Sequence, residues 1–129
     1  MLEKDRMREE FKQRLYSYVS RMVRFLNGLS NGVVAREIIS QLMRSSTSIG
    51  ANYFESEAAS SKKDYQNFFS YCLKSANETK FWLKVLSNSN LVPKYFTSAR
   101  EWLFQETKEL ANIFASSILT MKDRKQNQK

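Results

Sequence analysis

The sequence predicts an all-α protein, an antiparallel up-down-up-down four-helix bundle, from three observations. Only three Gly and one Pro occur in 129 residues, too few for the many tight turns of an all-β chain, while Leu, Lys, Glu, Arg, Met and Gln favour helix. Apolar residues recur at steps of three and four, the period of an amphipathic helix. The breaks between periodic segments are short, so successive helices reverse direction, and segments of about 25 residues make rods of roughly 37 Å. The 42% hydrophobic and 13% aromatic content is richer than that of a disordered chain, and the length suits one domain.

The first helix is expected over Leu2 to Asn27, with Phe11, Leu15, Tyr18, Met22 and Phe25 on one stripe. Asn27-Gly28 then supplies residues able to adopt positive φ beyond a helix end. A second helix begins near Asn31 and carries Val34, Ile38, Leu42, Ser45, Ile49 and Asn52 on one face. Ser61 caps a third, with Asp64 as the acidic member of a capping-box-like pair, and its stripe is Tyr65, Phe69, Cys72, Ala76, Thr79, Leu83 and Leu86. "SNSNLVP" breaks that helix, Pro93 suits the first turn of a fourth, and Leu103, Leu110, Phe114, Ile118 and Met121 line it. The bundle is thus assigned to residues 1–121, and 122–129 to a frayed, solvated basic tail.

The stretch "RSSTSIGANYFE", from Arg44 to Glu55, sits between strongly helical segments although it is rich in residues of poor helix propensity. An anion-binding nest is a weak reading, because no strand precedes it and no Gly-Lys-Ser follows. A helix thinned for close packing explains more: Ser45, Ser48 and Asn52 lie at steps of three and four. Ser48, Asn52 and Glu78 are then the expected polar core, Glu78 on the antiparallel third helix partnering the Asn52 amide, which costs about 1–3 kcal/mol if left unsatisfied.

Histidine is absent, which removes the commonest general base and the commonest zinc or copper ligand. Cys72 stands alone on an apolar stripe, without a base to activate it. Carboxylate di-metal bundles need Glu-x-x-His pairs. No catalytic residue, metal or other cofactor is expected, and the chain reads as not an enzyme. The start "MLEKDRMREEF" has no apolar stretch resembling a signal peptide, and no long apolar run suggests a membrane span. A cytoplasmic address with no membrane partner is the expectation, and Asn77-Glu78-Thr79 is a chance glycosylation match within a helix.

A formal charge of +8 and a pI near 9.7 suggest an acidic partner such as nucleic acid. The excess is spread along the chain, except for residues 29–57, which are slightly acidic.

The residues "SIGANY…SSKKDYQNFF…SANETKFWLKVL" resemble the bacterial four-helix bundle family that includes proteins encoded in intervening sequences of large-subunit ribosomal RNA genes and the accessory variability determinants of diversity-generating retroelements. The family's Gln-x-x-Arg pair appears as Gln41 and Arg44, its Ser-Ile/Val-x-x-Asn core as Ser48, Ile49 and Asn52, its helix start as Ser61, Asp64 and Tyr65, and its Glu with an aromatic-Trp-Leu run as Glu78, Phe81, Trp82 and Leu83. The resemblance spans Val34 to Leu119 and implies an antiparallel bundle that assembles as a ring-shaped homopentamer without catalytic residues. It also implies, for accessory members, a reverse transcriptase and nucleic acid as partners. Phe54, Glu55, Ser56 and Glu57 stand where relatives often carry basic residues, and Asn77 where an acid often precedes the Glu; both departures weaken phosphate contact by the second helix.

Two functional readings follow. In one, a basic oligomer binds RNA or DNA through Lys62, Lys63, Lys74, Lys80 and Lys84, which lie off the apolar stripe of the third helix; the bland alternative is that these lysines are only a solvated face. In the other, the chain is a structural or protein-interaction homo-oligomer, with Phe54, Trp82 and Trp102 as subunit contacts, joined by Phe68 and Phe104 at the stripe edges.

Overall fold

The computed structural model describes residues 2–29 and 32–127; the expected start of the second helix at Asn31 and the last two residues of the tail lie outside them. Four helices run α1 (Glu3–Asn27), α2 (Val33–Ser56), α3 (Lys62–Asn88) and α4 (Thr97–Asn127), with a single 3-10 turn, Lys94–Phe96, leading into α4. No strand occurs among the described residues. The helices pack as the four-helix bundle that their apolar stripes require.

The ends of the helices follow local chemistry. At the start of α3 the Ser61 hydroxyl accepts from the Asp64 amide at 3.0 Å, while the Asp64 carboxylate accepts from the Ser60 amide at 3.1 Å. The reciprocal pair is therefore formed one residue wider than a standard capping box. At the other end of α3, Asn90 turns the chain in the left-handed region with φ 56°, a conformation that Asn tolerates better than most residues. Pro93 caps the 3-10 turn rather than opening α4 itself. Helix α4 continues through Asn127, beyond the expected boundary at residue 121, so Lys122 to Asn127 form exposed helix rather than a frayed tail.

The expected positive φ beyond α1 is not used: Gly28 has φ −88°. Its role is space. A Cβ there would lie 2.4 Å from Cζ of Phe96, whose ring packs edge-on against Phe25 with centroids 6.0 Å apart. Glycine thus lets the turn before α4 close over the end of α1.

The core holds Leu15, Tyr18, Met22, Leu42, Ile49, Leu83, Leu103, Leu110 and Phe114, all essentially removed from solvent. Two buried hydroxyl pairs cross it. The Ser45 and Thr79 hydroxyls bond at 2.9 Å between α2 and α3, the Thr79 proton going to the Ser75 carbonyl at 2.8 Å, and the Tyr18 hydroxyl lies 2.6 Å from Thr107 Oγ1 between α1 and α4. Beside the second pair, Arg14 makes a two-pronged contact to Glu106 at 2.9 and 2.6 Å, the arrangement that makes arginine–carboxylate pairs strong. The Arg14 hydrogen bonds hold the Glu106 carboxyl below the usual range against the opposing effect of burial.

The thinned stretch is helical, as its packing role demands, but the buried small residues are Ser45, Ser46 and Gly50, while Ser48 and Asn52 are only half-buried. Val34 is exposed, and Ala35 takes the inward position at the start of α2. A Cβ on Gly50 would meet Val19 Cγ2 of α1 at 3.7 Å, an ordinary contact.

Two glycine substitutions should therefore differ in sign. Gly50→Ala should leave stability unchanged or raise it by up to about 1 kcal/mol, the helix-propensity gain of alanine, whereas Gly28→Ala should cost about 1–3 kcal/mol through overpacking against Phe96; urea titration of both variants checks this. Glu106 is ionised in the fold at pH values where an unfolded carboxyl is already protonating, so its share of stability is full above about pH 4.3 and disappears as pH falls through its lowered folded value. Acid titration should show Glu106→Gln melting at a temperature less dependent on pH below 5 than the unaltered chain.

Candidate nucleic-acid interface

At about 100° per residue, the burial of Phe69, Cys72, Ala76, Thr79, Leu83 and Leu86 fixes which side of α3 faces outward. Lys62, Lys63, Lys74, Lys80 and Lys84 all fall within an arc of about 120° that runs from the edge of the buried stripe, at Lys62 and Lys80, round to the outward side. Lys80 is half-buried and the other four are exposed. The arc runs about 33 Å along the helix at 1.5 Å per residue. None of the five takes part in a salt bridge among the described residues, where the ion pairs use Arg6, Lys12, Arg14, Arg44 and Arg100. Five uncompensated cations in a row are what a polyanion's phosphates require.

Where α1 begins and α4 finishes, the bundle is open. Residues 3–10 of α1 are exposed throughout, as are 122–127 of α4. Both helices line, with the α2–α3 connection, a cleft of about 1210 Å³. Lys4 and Arg8 of α1, Lys62 and Lys63 of α3, and Arg124 and Lys125 of α4 stand around it. Its acidic lining residue is Glu57, which Lys12 engages at 2.8 Å. The floor is aromatic: Tyr53, Tyr65 and Phe69 line it, with Tyr65 and Phe69 centroids 4.7 Å apart and Phe69 in turn edge-on to Phe114 at 5.5 Å. Burial raises the Tyr53 and Tyr65 hydroxyls above the ordinary phenol range. At the opposite pole Arg21 stacks over Trp102 at 4.0 Å beside a recess of only about 220 Å³.

The model of the family described as 23S rRNA-intervening sequence protein matches residues 9–116. The chain belongs to that family. A search of curated proteins finds no match. Among solved structures, the chain is similar to a protein with unknown function from the S23 ribosomal protein family of Bacteroides thetaiotaomicron, with 30% identity, a TM-score of 0.71, and coverage of 83% of this chain and 96% of that one. No helix among the described residues is long and apolar enough to cross a membrane.

The motif residues of this intervening-sequence family member form a seam between α2 and α3. Arg44 donates to Gln41 at 2.7 Å and to Glu78 at 2.8 Å, so Glu78 serves Arg44 and does not partner Asn52. The Asn52 amide instead donates to the Ser48 carbonyl at 2.9 Å, and the Ser48 hydroxyl to the Arg44 carbonyl at 2.7 Å. The expected polar core of Ser48, Asn52 and Glu78 is therefore replaced by the buried Ser45–Thr79 pair, and its members satisfy themselves within α2 or at its edge. Antiparallel register explains the difference: Glu78 lies level with Arg44, which is eight residues, or about 12 Å, from Asn52.

The expected aromatic contacts are mostly half-covered within the protomer. Phe54 packs on Tyr16 at 5.1 Å with Lys12 above it, and Trp82 lies against the core with Phe81 at 5.0 Å. Trp102 is 37% exposed, whereas Phe81 and Tyr95 reach 58% and 79%. The Trp82 indole N–H is buried with no hydrogen-bond partner. Cys72 is sealed, donating weakly to the Ile49 carbonyl at 3.4 Å, and desolvation pushes its thiol up to about 12. A thiolate nucleophile is not on offer there.

Proposed function

We propose that this protein is a non-enzymatic nucleic-acid-binding accessory protein that acts as a homo-oligomer, the ring-shaped pentamer implied by the family resemblance, and serves a nucleic-acid-processing enzyme such as a reverse transcriptase. The observation that carries the reading is the uncompensated lysine arc on α3. A flat row of cations contacts phosphates without reading bases, so recognition is tolerant of sequence. Several copies in one assembly multiply each subunit's field and its effective concentration at the strand. The absence of histidine and the sealed Cys72 support a binding role over a catalytic one.

Binding of RNA or DNA should weaken steeply with salt as condensed counterions are released. Each Lys→Gln change along the arc should lower the slope of log K against log salt by about one on a duplex. Fluorescence anisotropy across a salt series measures this; a flat salt response, or no retention at low salt, rules the reading out.

A structural homo-oligomer is the second reading, favoured by Phe81, which is exposed, next to Trp82 with its unpartnered indole N–H. Light scattering should then report a smaller particle for Trp82→Ala, while Trp82→Phe, which keeps most of the apolar surface, should retain the assembly. An unchanged mass in Trp82→Ala removes this residue from subunit contacts.

A further inference from the structure

We propose that the open-end cleft is the seat of a single-stranded polynucleotide, its phosphates held by Arg8, Lys62, Lys63 and Arg124 and an unpaired base laid against Tyr65. This inference rests on the nucleic-acid reading above and adds the strand type and the place where it is gripped. The flank of α3 and the cleft differ in shape. The flank is a convex helix surface that any phosphate backbone can lie along, but it cannot surround a base. The cleft is a recess of about 1210 Å³ with cations from three helices at its rim and aromatic rings at its floor. Single-strand binders combine a positive groove with aromatic stacking platforms, and a duplex, whose bases are already stacked inward, cannot use the second component.

The lining supplies each element of that chemistry. Lys4, Arg8, Lys62, Lys63, Arg124 and Lys125 make no salt bridge among the described residues. The acid in the lining, Glu57, is engaged by Lys12 at 2.8 Å, and Asp64 beside it accepts from the Ser60 amide at 3.1 Å. Tyr65 is half-buried and braced by Phe69, which is 6% exposed, so its ring is pre-placed and loses little freedom when a base stacks on it. Gln66 and Asn67 bring side-chain amides to the same wall, able to donate to or accept from base edges. Lys4, Arg8, Arg124 and Lys125 all fall outside the residues 9–116 that the family model matches.

Two triple variants of equal charge separate the surfaces: Arg8→Gln with Lys63→Gln and Arg124→Gln at the cleft, and Lys74→Gln with Lys80→Gln and Lys84→Gln on the flank. Each is titrated by anisotropy against labelled 20-nucleotide single strands of RNA and of DNA and against the matching duplexes, after circular dichroism and melting verify the fold. The cleft set should weaken single-strand binding about tenfold or more and lower its salt slope by about two, with a smaller effect on duplex, and the flank set should do the reverse. Tyr65→Leu should cost single strands about fivefold or more, the lower range of base stacking, and leave duplex binding unchanged. If both sets weaken single strands equally, or only the flank set does, the inference is overturned while the nucleic-acid reading stands. If the unaltered protein retains none of the four probes at low salt, both fall.

Discussion

The register between α2 and α3 is the constraint on which the rest of the molecule depends. It is set where small residues let the two helices approach and where Thr79 and Ser45 exchange a buried hydrogen bond at 2.9 Å. A slip of one helical turn would take the Ser45 hydroxyl from its partner in a region closed to water, at a cost of about 1–3 kcal/mol, while Thr79 keeps the Ser75 carbonyl of its own helix. The same slip would separate Arg44 from Glu78 and move Cys72 off the Ile49 carbonyl. With the register fixed, the buried face of α3 is fixed, and so is the flank that carries the lysines. The placement of charge on the outside is thus a consequence of hydrogen bonding on the inside.

The second buried hydroxyl pair, Tyr18 with Thr107, ties α1 to α4 and is reinforced at its edge by Arg14 and Glu106. Both contacts lie in the middle of α1. Toward its N-terminus the residues before Phe11 are exposed on every side, and α4 likewise outruns its own core after Ile118, with only Met121 half-buried beyond it. An up-down-up-down path brings these two helix ends to the same pole. The opening between them is a product of helix length, since α1 and α4 extend past the α2–α3 connection that would otherwise close the end.

The helices, their stripes and the cap at Ser61 were legible in the sequence because they depend on near neighbours: a period of three to four, or a side chain reaching an amide a few residues away. Pairings between helices were less so. Asn52 and Glu78 have suitable chemistry, but their contact depends on a register that periodicity leaves free by whole turns, and α2 offered Asn52 a local carbonyl. Ser46 and Gly50 are buried where Ser48 and Asn52 are only half-buried, because the thinned side of α2 also meets α1, at Val19 beside Gly50. The lysine arc was visible as residues off an apolar stripe. The cleft was not, because its cations come from both ends of the chain and from one internal turn. The exposed turns at Lys4–Arg8 and Arg124–Lys125 look, in sequence, like solvated ends.

The sealing of Cys72 has a consequence for the surface as a whole. Side chains whose ordinary proton affinity lies near neutrality are those of histidine and, somewhat higher, cysteine. This chain has no histidine, and its lone thiol is displaced to about 12. Neither residue type can therefore dim or brighten the protein's field when a cell acidifies or becomes more alkaline. The grip on a polyanion is left to be governed by the ionic atmosphere: potassium, magnesium and polyamines competing for the same phosphates would be the dial, and protons would not.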